Sequence, residues 1–91
     1  MRLSDRLQAI ANFVPQSTIV GDIGTDHGYI PIYLIERKIS KKVIATDISR
    51  NSLDKIIQYA KSIKYEKDID IRLGDGLETI KPFEIDTVII A

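Results

Sequence analysis

Asp22, Asp26 and His27 fall within six residues of one another, inside the stretch Thr18 to Tyr29, written T-I-V-G-D-I-G-T-D-H-G-Y. Two carboxylates and an imidazole on a glycine-bearing turn can face a cation, accept hydrogen bonds or ligate a metal. Three metal ligands so close together on a strand-turn demand special geometry, so no metal is assigned. His27 is the single histidine of the chain. It can hydrogen-bond a carboxylate or organise the loop, but nothing in the spacing makes it a catalytic base, and the catalytic residues stay unassigned.

The charge of this loop discriminates between ligands. No Lys or Arg lies between Gly21 and Glu36. A pyrophosphate held about 6 Å from each carboxylate would meet a repulsion on the order of 2 to 3 kcal/mol from each, at an effective dielectric near 20. Phosphate loops instead offer backbone N–H groups, a Lys and a Ser or Thr. Gly24 to Gly28 is also G-x-x-x-G, whereas the dinucleotide fingerprint is G-x-G-x-x-G. An adenosine compound with a positively charged middle fits this loop better. S-adenosylmethionine, with its sulfonium and α-ammonium groups and no phosphate, has that chemistry.

Two further positions extend the same site. Asp47 ends the segment K-V-I-A-T-D, where a carboxylate can accept hydrogen bonds from both ribose hydroxyls. The next residue, Ile48, can pack on an adenine face. Asp75, between Gly74 and Gly76, can accept from the adenine exocyclic amine while the Gly76 or Leu77 N–H reaches a ring nitrogen. All five glycines lie in or beside segments 21 to 28 and 74 to 76, a concentration that points to close ligand approach. A plain turn remains the alternative at 74 to 76.

These residues need a scaffold, and the hydrophobic pattern supplies one. Leu3, Leu7, Ile10 and Ala11 recur at helical spacing behind a Ser4 or Asp5 cap, and Pro15 ends the helix. Thr18 to Ile23 is a strand. Tyr29 to about Lys38 is a helix with Pro31 in its first turn, and Tyr29 and Tyr33 read as packing residues. Lys42 to Asp47 is a second strand, and Ser49 caps a helix with the stripe Leu53, Ile56, Ile57, Ala60 and Ile63. Ile69 to Leu73 and Asp86 to Ala91 are further strands, with a helical turn at Leu77 to Ile80 between them. The last strand is apolar throughout and is expected to be buried on both faces. The order predicts an α/β fold, a parallel sheet with flanking helices.

Composition narrows the classes. Ninety-one residues make one small domain, and 13 basic side chains cancel 13 acidic ones, so there is no bulk attraction to a polyanion. Arg2, Arg6 and the cluster Arg37, Lys38, Lys41, Lys42 are the local candidates for such contact. The absence of cysteine excludes disulfides and thiolate metal sites. The longest apolar run, Ile30 to Ile35, is far too short for a membrane span. A cytoplasmic location without membrane attachment is expected.

D-I-G-T-D-H-G-Y-I-P-I-Y-L, followed by T-D-I-S and G-D-G-L and preceded by L-S-D-R-L-Q-A-I-A-N-F-V-P, resembles the TrmK family of bacterial tRNA (adenine-22-N1)-methyltransferases. The resemblance spans Leu3 to Ala91. It implies a Rossmann-like class I methyltransferase fold that binds S-adenosylmethionine, with a helical C-terminal domain that helps grip tRNA. Carried over by position, Asp22, Gly24, Asp26, His27 and Gly28 surround the methionine part of the cofactor. Asp47 is the ribose acid, and Asp75 with Gly76 holds the adenine edge. Family members continue from the fourth strand into a glycine-rich loop beside the target base. Residues 1–91 are therefore expected to be the first, four-stranded part of the methyltransferase domain, inactive alone and leaving most tRNA contact to other parts. The rival readings are a class I methyltransferase with another substrate, and a non-catalytic nucleotide-binding or interaction module.

Overall fold

Parallel strands rich in Val and Ile need cover on both faces, and this chain covers its two faces by different means. The computed structural model describes residues 3–90, in the order α1 (Asp5–Asn12), β1 (Ile19–Ile23), α2 (Tyr29–Glu36), β2 (Lys42–Asp47), α3 (Arg50–Ser62), β3 (Ile69–Leu73) and β4 (Thr87–Ile90). Arg2, considered above for polyanion contact, and Ala91, the expected strand end, lie outside the described residues. The strands are all parallel and run β3-β2-β1-β4 across the sheet. The α/β class and the Rossmann-like parallel sheet of four strands with flanking helices are thus borne out. From β1 the chain steps outward to β2 and β3, then returns past β1 to β4. The direction of winding reverses between β1 and β4, and open α/β sheets bind ligands in the crevice at such a point, beyond the carboxyl ends of the strands.

Strand register assigns the faces. Val20 lies beside Val43, and Val43 beside Ile69, while Asp22 lies between Ala45 and Ile89. Alternation places all of these on one face. There Val20, Val43, Ala45, Ile69 and Ile89 form a continuous buried cluster with Leu3, just ahead of α1, and with Ala11, Ile30, Leu34 and Ala60 of the three helices. Each helix begins with a specific cap. The Ser4 Oγ accepts from the Leu7 N–H at 3.3 Å, and the Ser49 Oγ accepts from the Ser52 N–H at 3.3 Å. α2 starts from Gly28 in the left-handed conformation, with Pro31 in the first turn, where no intrahelical donor is needed. α1 is fastened to α2 by the Gln8 side-chain amide, which donates to the Tyr33 hydroxyl at 3.0 Å.

The other face is covered by the β3–β4 connection. Gly21 and Ile44 are neighbours on that face, and a Cβ added to Gly21 would sit 2.8 Å from Ile85 Cδ1 and 3.2 Å from Ile80 Cδ1. Glycine at 21 therefore lets the connection lie flat on β1. Arg72, also on this face, ties the connection down: its guanidinium donates to the Thr79 carbonyl at 2.7 Å, to Asp70 at 2.8 Å and to both oxygens of Glu84. This bidentate partner holds the Glu84 carboxyl well below its ordinary range, at about 2. The segment Leu77 to Ile80, expected as a helical turn, is a pair of hydrogen-bonded turns.

β4 departs from expectation. Ile89 is buried under the helices, but Val88 and Ile90, which point to the other face, are 44% and 73% exposed. The connection stops over Gly21 and does not reach them, and β4 is the outermost strand beside β1. An apolar run alone did not reveal that only one of its faces is covered.

Loss of a part-buried, multiply bonded guanidinium destabilises by roughly 1 to 3 kcal/mol. Arg72→Met is therefore expected to lower the thermal midpoint by about 5 °C or more, whereas Lys42→Met, which removes an exposed contact at 4.0 Å from Asp70, should change it by less than about 2 °C. Equal shifts in a melting experiment would contradict the role given to Arg72.

Candidate functional site

β1 delivers Asp22 and Ile23 to the carboxyl edge of the sheet, and the chain then reverses through Gly24 (φ +69°), Asp26 (φ +58°) and Gly28 (φ +73°). Left-handed backbone at 24 and 28 suits glycine, and Asp tolerates it at 26 better than most residues. The turn is bonded at each step. The Thr25 N–H donates to the Thr46 carbonyl at 2.9 Å, the Thr25 hydroxyl donates to Asp22 Oδ2 at 2.8 Å, and the Gly28 N–H donates to the Thr25 carbonyl at 3.0 Å.

Asp47 joins this loop to the rest of the rim. Its Oδ2 accepts from the Asp26 N–H at 3.0 Å, and its Oδ1 accepts from the Ser49 N–H at 2.8 Å. Its carbonyl accepts from the Gly74 N–H at 3.0 Å. One residue thereby links the loop after β1, the start of α3 and the exit of β3. Each carboxylate oxygen keeps a further lone pair for a ligand.

A cavity of about 320 Å³ opens beside the loop. Of the residues read from the sequence, Asp22, Gly24, Asp26 and His27 line it; α1 adds Arg6 and Leu7, and α2 adds Tyr29 and Ile30. Asp47, Ile48, Asp75 and Gly76 lie outside this cavity, along the same carboxyl-end rim. Ile48 presents a 73% exposed aliphatic side chain there. The Asp75 N–H donates to Glu78 Oε1 at 2.8 Å, and Gly76 is left-handed with open space where a Cβ would be. Gly28 has a different neighbour from the one expected. A Cβ there would lie 2.6 Å from Ile56 Cγ1, so the close approach it permits is that of α3. Gly21 and Gly74 likewise admit side chains of this chain, Ile85 and Thr79. Gly24 and Gly76 face open space, whereas at the other three glycines the close approach is made by side chains of this chain.

Two cavity residues were misread or missed. Tyr29, expected as packing, is exposed and stacks on His27, with ring centroids 5.3 Å apart and planes 28° from parallel. Its place directly after the helix-starting glycine was the available signal, since first-turn residues border whatever lies beyond the helix end. Tyr33 is buried, as expected. Arg6 was considered for a polyanion, and it lies on the cavity wall instead. The cluster Arg37 to Lys42 runs into the first residue of β2 and so sits at the opposite end of the sheet, about 20 Å from the loop by strand length. There Arg37 lies over the Tyr33 ring at 5.1 Å.

Asp22 is the electrically unusual member. It is only 3% exposed, and burial pushes its carboxyl up to about 6, opposed by the Thr25 hydroxyl and reinforced by the nearby Asp47 charge. A raised, buried carboxyl in a cleft is a characteristic of binding sites. Among the described residues no three His, Asp or Glu side chains converge as a metal site would require. No described helix is long and apolar enough to cross a membrane. The arrangement is suited to a compact cation held against Asp22 and Asp26.

Comparisons with known proteins agree with this chemistry. A family model described as a methyltransferase domain matches residues 3–91. The tRNA (adenine(22)-N(1))-methyltransferase of Bacillus subtilis strain 168 is 34% identical over 91 residues, covering 100% of this chain and 38% of that protein. The structure of Mycoplasma capricolum TrmK with S-adenosyl-homocysteine superposes with a TM-score of 0.89 at 36% identity, covering 97% of this chain and 40% of that one. Streptococcus pneumoniae Sp1610 in complex with S-adenosyl-L-methionine gives 0.92 at 31% identity, covering 99% and 42%. The chain thus spans about two fifths of the length of the relatives it matches. The resemblance to the TrmK family is borne out.

The Asp22 carboxyl ionises near 3.8 when unfolded and near 6 when folded, so the folded chain holds an extra proton between those values. Its contribution to stability is present at low pH and is lost as pH rises through that window, by up to about 3 kcal/mol. In urea titrations at pH 4 and pH 7, Asp22→Asn is expected to gain stability relative to the wild type by up to that amount at the higher pH. Parallel pH profiles for the two proteins would contradict the assignment.

Proposed function

Because the chain belongs to the methyltransferase-domain family, we propose that the rim described above binds S-adenosylmethionine for methyl transfer to N1 of an adenine in tRNA, at position 22 by analogy with its named relatives. The observation that carries this reading is the cavity walled by Asp22 and Asp26 at the switch point of the sheet. Its donor set fits the cofactor. Asp22 and Asp26 face the α-ammonium and sulfonium, with Gly24, His27 and the turn closed by Gly28 shaping the methionine end. Asp47 takes the ribose hydroxyls through the lone pairs left on its two oxygens. Ile48 packs on the adenine face, and Asp75 and Gly76 meet its polar edge.

When bound, S-adenosylmethionine supplies an electrophilic methyl group. The residues of this chain hold it still and exclude water from one side, so that an acceptor nitrogen can approach in line. Adenine N1 carries its own lone pair, and no base is needed to expose it before transfer. N1 is engaged in duplex RNA, so the target must be unpaired or turned out of the stack. The near-absence of basic side chains around the cavity leaves the grip on tRNA to other surfaces. A cytoplasmic location goes with that reading.

Calorimetry of the full chain with S-adenosylhomocysteine, NAD and ATP tests the cofactor. The expected result is binding of S-adenosylhomocysteine at least roughly tenfold tighter than either phosphate compound. Preference for NAD or ATP would overturn it. Asp47→Ala is expected to weaken S-adenosylhomocysteine by about tenfold or more, with helical circular dichroism retained. Unchanged affinity would remove Asp47 from the site.

A further inference from the structure

The apolar surface that the fold leaves uncovered is gathered around β4. No strand lies beyond β4 among the described residues, and Val88 and Ile90 are exposed on the face that the β3–β4 connection does not reach. Just past the end of α1, Phe13 is 85% exposed. A groove of about 220 Å³ runs between that end of α1 and the strand, lined by Ile10, Phe13, Val14 and the four residues of β4. We propose that this face is a dimer interface. There β4 pairs antiparallel with β4 of a second copy of the chain, and Phe13 of each copy enters the groove of the other.

Backbone hydrogen bonding sets the first requirement. Every second residue of a parallel strand turns its N–H and C=O away from its neighbour, and on the outer side of β4 those groups have no described partner strand. Edge strands are commonly protected by a Lys, a Pro or a bulge. β4 is T-V-I-I, with no charge and no Pro. Its nearest acid, Asp86, is turned toward β1, where its Oδ2 accepts from the Ile19 N–H at 2.8 Å. The other edge strand, β3, carries Asp70 and Arg72 and lacks this character.

Charge and shape identify the occupant. No charged side chain lines the groove, so it offers nothing to a phosphate backbone. It complements itself instead. A twofold interface presents the same patch from both sides, so a charged patch would meet like charge and an uncharged one does not. A protruding ring also stands beside a groove on the same face, the arrangement that twofold exchange can fill. An axis normal to the sheet relates β4 to an antiparallel copy of itself and keeps both helical layers on one side, with each Phe13 facing the other groove. Pairing uses the β4 edge of both copies, so assembly closes at two. The two four-stranded sheets become one, and the acidic rims open at opposite ends of it.

Sedimentation velocity of the 91-residue chain from about 1 to 100 µM tests this assembly. A monomer–dimer equilibrium is expected, with a thermal midpoint that rises with protein concentration. Ile90→Lys places a charge on the edge, and Phe13→Ala removes the ring. Each is expected to weaken the dimer by about tenfold or more while circular dichroism is retained, both positions being exposed. Should Ile90→Lys lose its circular dichroism, Phe13→Ala decides alone. Leu73→Ala, exposed at the end of the opposite edge strand, should leave the equilibrium unchanged. A wild type that stays monomeric throughout this range would overturn the proposal and leave the edge to a partner of another kind. Assembly beyond two copies, or dimers as tight in Phe13→Ala as in the wild type, would overturn it as well.

Discussion

A carboxyl group buried at the end of a parallel strand resists ionisation, and the loop between Ile23 and Gly28 is built around that resistance. Asp22 receives one hydrogen bond, from Thr25, and lies near a second carboxylate, Asp47. The hydrogen bond stabilises the charge only in part and Asp47 opposes it, so the site is poised to favour a ligand that brings a cation. Burial and a like charge raise the pKa of an acid for the same reason that they increase its attraction for an ammonium group. The acidity of the loop and its preference for a sulfonium compound are thus one property.

That poise persists because the rim is rigid. Asp47 binds the backbone of the loop, of α3 and of the β3 exit at once, so the positions proposed for the methionine, ribose and adenine parts move as a unit. Gly28 lets Ile56 press against the loop from below, and α1 closes the cavity from the side through its attachment to α2. On the opposite face Arg72 keeps the β3–β4 connection flat against Gly21 and Ile44. The sheet order then places β1, which carries the loop, between β2 and β4, where the winding reverses.

Much of this was legible in the sequence. The stripe of α3, its Ser49 cap and the strand segments of β1, β2 and β3 follow from local periodicity and capping, which depend on near neighbours in the chain. The acidic loop was legible for another reason: a run from Gly21 to Glu36 without Lys or Arg constrains the ligand whatever the fold. What escaped was long-range. Helical phase shows that Arg6 lies off the apolar stripe of α1, but not which loop it faces. The glycines at 21, 28 and 74 were legible as close approaches, yet only the packing shows that Ile85, Ile56 and Thr79 make them. Arg72 in a strand and Glu84 in a turn carry no local mark of their pairing. The apolar run of β4 hid that its outward face is uncovered.

The most direct measurement is the proton exchange that accompanies S-adenosylhomocysteine binding, read by calorimetry at pH 5.5 in buffers of different ionisation enthalpy. An ammonium seated against Asp22 must drive that carboxyl to ionise, so binding should release most of one proton there and almost none at pH 8, with affinity rising through pH 6. Binding that releases no proton at pH 5.5, or takes one up, would contradict the electrostatic account of the site.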